Sequence, residues 1–313
     1  MISLFLLIKN FLKEDFEWKS YLFLTFFLAV SIYYNYKYDF EDSILDSYAS
    51  SKLYTLYVAL FYGFAFVTVM IFTFVFKKQA NKLREMNTWL KVLLVIISIA
   101  FLTSYKIPFI FDNTVTDPHE VYLVNKIIRM SSTLLLGLLT IPMLMYVLKS
   151  GSAPYFGITF KKPELKPYVI MLLIMMPLLI WASYQEGFQK QYPNMKFWML
   201  NSPFGLSTFQ IGIIYEFFYG MSFIATEVLF RGLLIIGLSK VLGKDVLLPA
   251  VAVYAFIHFG KPMPETIGSI FGGYILGVIA LKKKHILGGI MIHMGVAISM
   301  DILAIAQHYK VMP

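Results

Sequence analysis

Residues 56–76 read LYVALFYGFAFVTVMIFTFVF and carry no charged side chain. A helix of that length rises roughly 30 Å, enough to cross the hydrocarbon core of a bilayer. A membrane-spanning strand would alternate apolar and polar residues, whereas this stretch is apolar on every face, which makes it a helix. It belongs to a run at roughly 53–76, and comparable runs lie at roughly 20–36, 90–104, 127–148, 167–184, 208–238, 246–260, 265–281 and 285–307. Together they predict an all-α fold, a polytopic transmembrane helix bundle of about nine helices. The composition agrees, because 58% of the 313 residues are hydrophobic and only 14% are charged, well below the roughly 25% usual in soluble domains.

Lysine and arginine set the expected orientation, since short cytoplasmic connections hold the excess of both. Lys9, Lys13 and Lys19 precede the first crossing; Lys77, Lys78, Lys82 and Arg84 follow the second. Lys149, Lys161, Lys162 and Lys166 follow the fourth, Lys240 and Lys244 the sixth, and Lys282, Lys283 and Lys284 the eighth. The alternate connections are poorer in cations and often acidic, as at Asp39, Glu41, Asp42 and Asp46. The N-terminus is therefore expected inside and the C-terminus outside. The net charge of +9 is accounted for by these connections, so no nucleic-acid partner is expected. Membrane lipids are the expected surroundings, at the plasma membrane in a prokaryote.

Three regions follow. Residues 1–19 hold only a short apolar run broken by Lys9, without a small-residue cleavage site, and read as an interfacial amphipathic segment rather than a removable signal. Residues 20–195 are N-terminal transmembrane helices, and 196–313 form a core with a different chemistry. With no cysteine in the chain, disulfides, thiolate zinc sites and iron–sulfur clusters are excluded.

The core concentrates the polar groups found at membrane depth: Glu216, Glu227, Arg231, His258, His293 and Asp301. A charge at the bilayer centre costs roughly 2.5–3.5 kcal/mol even on a lenient insertion scale, so such groups face a partner or a wet cavity. Counted back from the basic ends at Lys240, Lys244 and Lys284, the residues Glu227, Arg231, His258 and His293 lie roughly 13–21 Å deep. Three segments thus place an acid and two imidazoles in one slab. Neutral imidazoles with a carboxylate suit a divalent metal, zinc foremost, or an activated water. Glu227 and Arg231, spaced i,i+4, form either a structural ion pair or a pair in which the guanidinium tunes the carboxylate. Glu216 suits a helix–helix contact. Asp301, two turns past His293, either looks toward the same cavity or sits near the outer interface. Glu265 suits the start of a helix, where an acid complements the dipole.

The motifs sharpen this reading. Thr226-Glu227-Val228-Leu229-Phe230-Arg231-Gly232, Tyr254-Ala255-Phe256-Ile257-His258 and His293-Met294-Gly295-Val296-Ala297 follow one another on consecutive core segments. Their order and spacing resemble the CAAX-protease and bacteriocin-processing family of intramembrane metalloproteases, also called the abortive-infection family. The resemblance covers roughly 205–307. That family shows Glu-Glu-x-x-x-Arg, Phe-x-x-x-His and His-x-x-x-Asn, so Thr226 stands where its first Glu would be, Tyr254 where its Phe would be, and Ala297 where its Asn would be. The resemblance implies that the first Glu, the two His and the Asn activate water and hold the oxyanion, while the second Glu pairs with Arg. On that basis the chain is expected to be an intramembrane endopeptidase-like protein that hydrolyses a peptide bond near a membrane anchor. Glu227, His258 and His293 are its expected catalytic and metal-binding residues. Arg231, Tyr254, Thr226, Asp301 and Glu265 are expected to support them, with Asp301 or Glu265 replacing the lost ligand. Two alternatives stay open: a non-proteolytic relative serving as a membrane binding, immunity or scaffold protein, and a proton-coupled transporter.

Overall fold

A computed structural model describes residues 2–105, 107, 115–147, 154–159 and 164–309. Among these residues there are helices and turns and no strand, as expected of a polytopic bundle. Lys149, Lys161 and Lys162, used above for orientation, lie outside the described residues. The long helices are α1 (Ile2–Asp15), α2 (Trp18–Tyr38), α3 (Tyr54–Phe76), α4 (Met86–Ser104), α5 (Pro118–Val147) and α6 (Lys166–Ser183). After the short α7 (Glu186–Gln191) come α8 (Thr208–Glu227), a π-helix over Val228–Gly237, the single turn α9 (Ser239–Leu242), α10 (Leu247–Phe256), α11 (Met263–Lys283) and α12 (Leu287–His308). Six described segments are long and apolar enough to cross a membrane, among them Tyr54–Phe76, Met263–Lys283 and Leu287–His308.

The described chain falls into two units that interleave along the sequence. The first comprises residues 1–104, 142–163 and 227–289; the second comprises 105–141, 164–226 and 290–313. In the first unit α10 is the central rod, packed between α3 and α11. All ten of its residues are buried, which is why it is apolar on every face. At roughly 15 Å it does not reach across a bilayer. Phe256 at its end stacks on Phe27 and Phe259 and meets Phe61. In the second unit Tyr215, Tyr219 and Phe223 of α8 pack with Met195, Phe197 and Ala297. Leu179 and Phe188 form a separate cluster there with Met300 and Leu303.

Two departures from plain α-helix bear on the residues singled out in the sequence. The reading predicted one helix over 208–238, but the hydrogen-bond pattern widens directly after Glu227 and stays π-helical to Gly237. Apolar periodicity cannot announce that change, because all ten π-helical residues are buried. The other departure is at His258, expected on a helix, which lies two residues past the end of α10. There the chain tightens, with the His258 N–H donating to the Ala255 carbonyl and the Lys261 N–H to the His258 carbonyl. Pro262 and Pro264 lack the N–H groups that would continue an α-helix.

The N-terminal segment forms α1, and Glu17 caps the start of α2 by accepting from the Lys19 and Ser20 N–H groups. Asp15, just before that cap, is anchored by buried charge. Lys77 at the end of α3 lies 2.6 Å from Asp15 and 2.8 Å from Asp245. Lys282 reaches Glu14 at 2.8 Å, and Lys244 donates to the Glu14 carbonyl. Cations expected at one side of the membrane thus meet at one end of the first unit. Lys77→Met would take the shared cation from two buried carboxylates, leaving Asp15 the Tyr21 hydroxyl and Lys244 at 3.6 Å. It is expected to lower stability by about 3–5 kcal/mol, measured by denaturant unfolding in detergent, with Lys77→Arg far milder.

Candidate active site

The π-helix begins directly after Glu227. Single-turn π-bulges are the usual form and mark functional sites; here the distortion runs from Val228 to Gly237. It carries Arg231, whose guanidinium lies 2.9 Å from the Glu227 carboxylate. Both residues are essentially inaccessible, at 1% and 0% exposure. Two charges that deep are tolerable because each neutralises the other. The guanidinium also lies over the face of the Tyr254 ring, 4.0 Å from its centre, a cation–π contact that strengthens where water is excluded.

Tyr254 is the hinge between this pair and His258. Its ring meets the His258 ring at 4.7 Å, and its carbonyl lies 2.7 Å from His258 Nδ1. A carbonyl only accepts, so Nδ1 carries the proton and Nε2 carries the ring's lone pair. The imidazole thereby caps the end of α10, and its tautomer is fixed. Gly273 of α11 makes room for Tyr254, since a Cβ there would sit 2.9 Å from the ring. Gly289 does the same for Glu227: a Cβ would fall 2.3 Å from its Oε2.

Glu227, Arg231, Tyr254 and His258 therefore form one continuous chain of contacts within the first unit. Glu265 lies in the first turn of α11, as its dipole argument required. Thr226, His293 and Asp301 belong to the second unit. There the Thr226 hydroxyl donates to the Ser222 carbonyl at 3.2 Å, and the His293 ring packs on Phe223 at 4.6 Å. Ala297 sits in the aromatic cluster of α8. Asp301 is fully buried, and both its oxygens lie 3.3 Å from the Asn194 N–H. The Glu216 carboxyl lies against it.

One group escaped the reading of the sequence. Glu41, Asp42 and Asp46, seen there only as acids of an outer connection, bring carboxylate oxygens within 4.8 Å of one another. Glu41 and Asp42 press on the turn after His258, where a Cβ at Gly260 would lie 2.4 Å from Glu41 Oε2. Burial first, then the charge of Asp46 and the neighbouring Asp42 and Asp39, pushes the Glu41 carboxyl up to about 8. The spacing of acids in a loop carries no signal for such a convergence.

The comparisons with known proteins fall on the same segment. Residues 208–299 match the family model described as Rce1-like: Type II CAAX prenyl endopeptidase Rce1-like. The resemblance read from the motifs is thus borne out over that segment. No curated protein and no solved structure matches the chain. All three motifs lie inside the matched residues, and the CAAX-protease-like segment includes α8, the π-helix, α10, α11 and the first half of α12.

Two outcomes are expected from this geometry. Gly289→Ala drives a methyl into the Glu227 carboxylate and should destabilise the protein by about 1–3 kcal/mol in denaturant unfolding, whereas Gly268→Ala, which meets open space, should not. Glu41 stays protonated in the folded protein up to about pH 8 but ionises near its ordinary value of 4.5 when unfolded. The folded state then binds the extra proton, so stability falls as pH rises from about 4.5 to about 8 and levels off above. Glu41→Gln should flatten that fall in melting temperatures recorded across the range.

Proposed function

We propose that this chain is an intramembrane endopeptidase-like protein that hydrolyses a peptide bond near a membrane anchor. The observation that carries the reading is the chain of contacts from Glu227 through Arg231 and Tyr254 to His258, built on the segment that matches the endopeptidase family. Glu227 accepts a proton from the attacking water. Arg231 holds the carboxylate in place, so the base enters the reaction already oriented. The Tyr254 carbonyl holds the His258 proton on Nδ1, which aims the Nε2 lone pair away from the backbone. His293 supplies the second imidazole.

One carboxylate and two imidazoles are donors of the kind a divalent ion takes, zinc foremost, although among the described residues the group of acid or imidazole ligand atoms within 4.8 Å of one another is Glu41, Asp42 and Asp46. Such an ion, held by Glu227, His258 and His293, would supply Lewis acidity toward water and the scissile carbonyl. The residues themselves bind, orient and move the proton. The substrate class is a membrane-anchored peptide or protein, with prenylated peptides first to be tried on the strength of the family match. The localisation proposed is an integral, multi-pass position in a membrane, which in a prokaryotic cell is the plasma membrane.

A second reading rests on a specific observation. The two positions that depart from the family pattern are spent elsewhere, Thr226 on the Ser222 carbonyl and Ala297 in an aromatic cluster. A protein that retains the polar site to bind a peptide, as in immunity or scaffolding, would look the same. Purified protein in nanodiscs, incubated with prenylated and acylated peptides with and without chelator, separates the two. Cleavage that drops by about 10²–10⁴-fold in Glu227→Gln and in His258→Ala establishes hydrolysis. A folded wild type that captures such peptides and returns them uncut establishes binding.

A further inference from the structure

We propose that Asn35 and Tyr36, in the last turn of α2, act with Thr266 of α11 as positioning residues for His258. The matched segment then does not hold its own histidine unaided. This rests on the reading of His258 as a site imidazole and extends the site to a helix far outside residues 208–299.

A helix leaves its last carbonyls without intrahelical partners, and at membrane depth each unsatisfied one is expensive. At the end of α10 and in the turn that follows it, side chains from three directions meet this requirement. His258 itself caps the Tyr254 carbonyl at 2.7 Å. Thr266 donates its hydroxyl to the His258 carbonyl. Asn35 donates its amide to the Phe259 carbonyl at 3.1 Å, and Tyr36 donates to the Lys261 carbonyl at 2.5 Å. The Tyr36 and Thr266 hydroxyls lie 2.6 Å apart. With the Thr266 proton on the His258 carbonyl, the Tyr36 proton is shared between the Thr266 oxygen and the Lys261 carbonyl. Carbonyls at 258, 259 and 261 are thereby held by side chains, two of them from α2.

The holders are themselves held. Asn35 is 5% exposed, and its Oδ1 accepts from the Glu41 N–H at 3.1 Å. That bond fixes which end of the amide faces Phe259. Thr266 is fully buried. Its hydroxyl is consequently locked between Tyr36 and the backbone of the residue whose ring it orients. The backbone of His258 is pinned through its carbonyl, and the ring is pinned through Nδ1. Together these leave the imidazole one direction to point.

Isosteric pairs test the assignment. Tyr36→Phe and Thr266→Val each remove one hydroxyl and little volume, while Thr266→Ser keeps it. Two readouts are taken on protein whose melting temperature confirms folding. The first is peptide cleavage, where the expected result is a fall in kcat of about 10–100-fold in Tyr36→Phe and Thr266→Val, with KM unchanged within about twofold and recovery in Thr266→Ser. The other is ¹⁵N NMR of labelled histidine, where the His258 signals, assigned with His258→Gln, should show one Nδ1-protonated tautomer in the wild type and in Thr266→Ser. In the other two variants they should shift toward a mixture. Wild-type imidazole signals in both Tyr36→Phe and Thr266→Val overturn the proposal. Should the wild type cleave nothing, hydrolysis fails as a reading while the imidazole signals still decide this one.

Discussion

Burying Glu227 and Arg231 together is the constraint that shapes the surrounding fold. Either charge alone in this apolar setting would be prohibitive, and the pair is tolerable only if its remaining directions are also filled. The guanidinium finds the face of Tyr254, and the carboxylate packs so closely on Gly289 that a Cβ there would meet it. Each solution constrains another element. Tyr254 must come close to α11, which requires Gly273; the π-helix that presents Arg231 must come close to Phe156, which requires Gly232 and Gly237. The glycines of this region thus follow from the ion pair.

Backbone polarity imposes the second constraint. Wherever the helices of the core depart from α geometry, an identifiable group takes up the freed donors and acceptors. The π-helix after Glu227 keeps its bonds internal. After the stop at Phe256, the His258 ring takes the Tyr254 carbonyl, and Thr266, Asn35 and Tyr36 take the carbonyls of the turn that follows. The catalytic reading uses both departures: the first presents the acid with its cation, and the second turns the imidazole out of the rod. Irregular backbone at such depth is tolerated where protein buries it, and α10 is buried on every side.

Much of this was legible in the sequence and some was not. Runs such as 56–76 announce helices because a bilayer leaves few other options, and most helices fall within a few residues of where they were expected, although α5 starts at Pro118, nine residues before the expected 127. The i,i+4 pairing of Glu227 with Arg231 was legible because it is local. The π-helix was not, since uniform burial erases the periodicity that distinguishes one helix type from another. The clamp from α2 was also hidden. Asn35 and Tyr36 lie more than two hundred positions from the carbonyls they hold, and a single Asn or Tyr near a helix end has many ordinary uses.

The two departures from the family pattern make sense as a pair. A glutamate at 226 or an asparagine at 297 would each bring polar atoms that need partners. In the second unit the hydroxyl at 226 closes on its own helix, and the methyl at 297 packs among Tyr215, Tyr219 and Phe223. Restoring the amide alone would place an unpartnered polar group in an aromatic cluster, at a cost of about 1–3 kcal/mol. Loss of both groups leaves no orphan behind. The first unit meanwhile keeps the acid, its cation and the capped histidine intact. The polar centre at Glu227 is therefore compatible with the residues at 226 and 297, and any chemistry there would fall to a single carboxylate held by arginine.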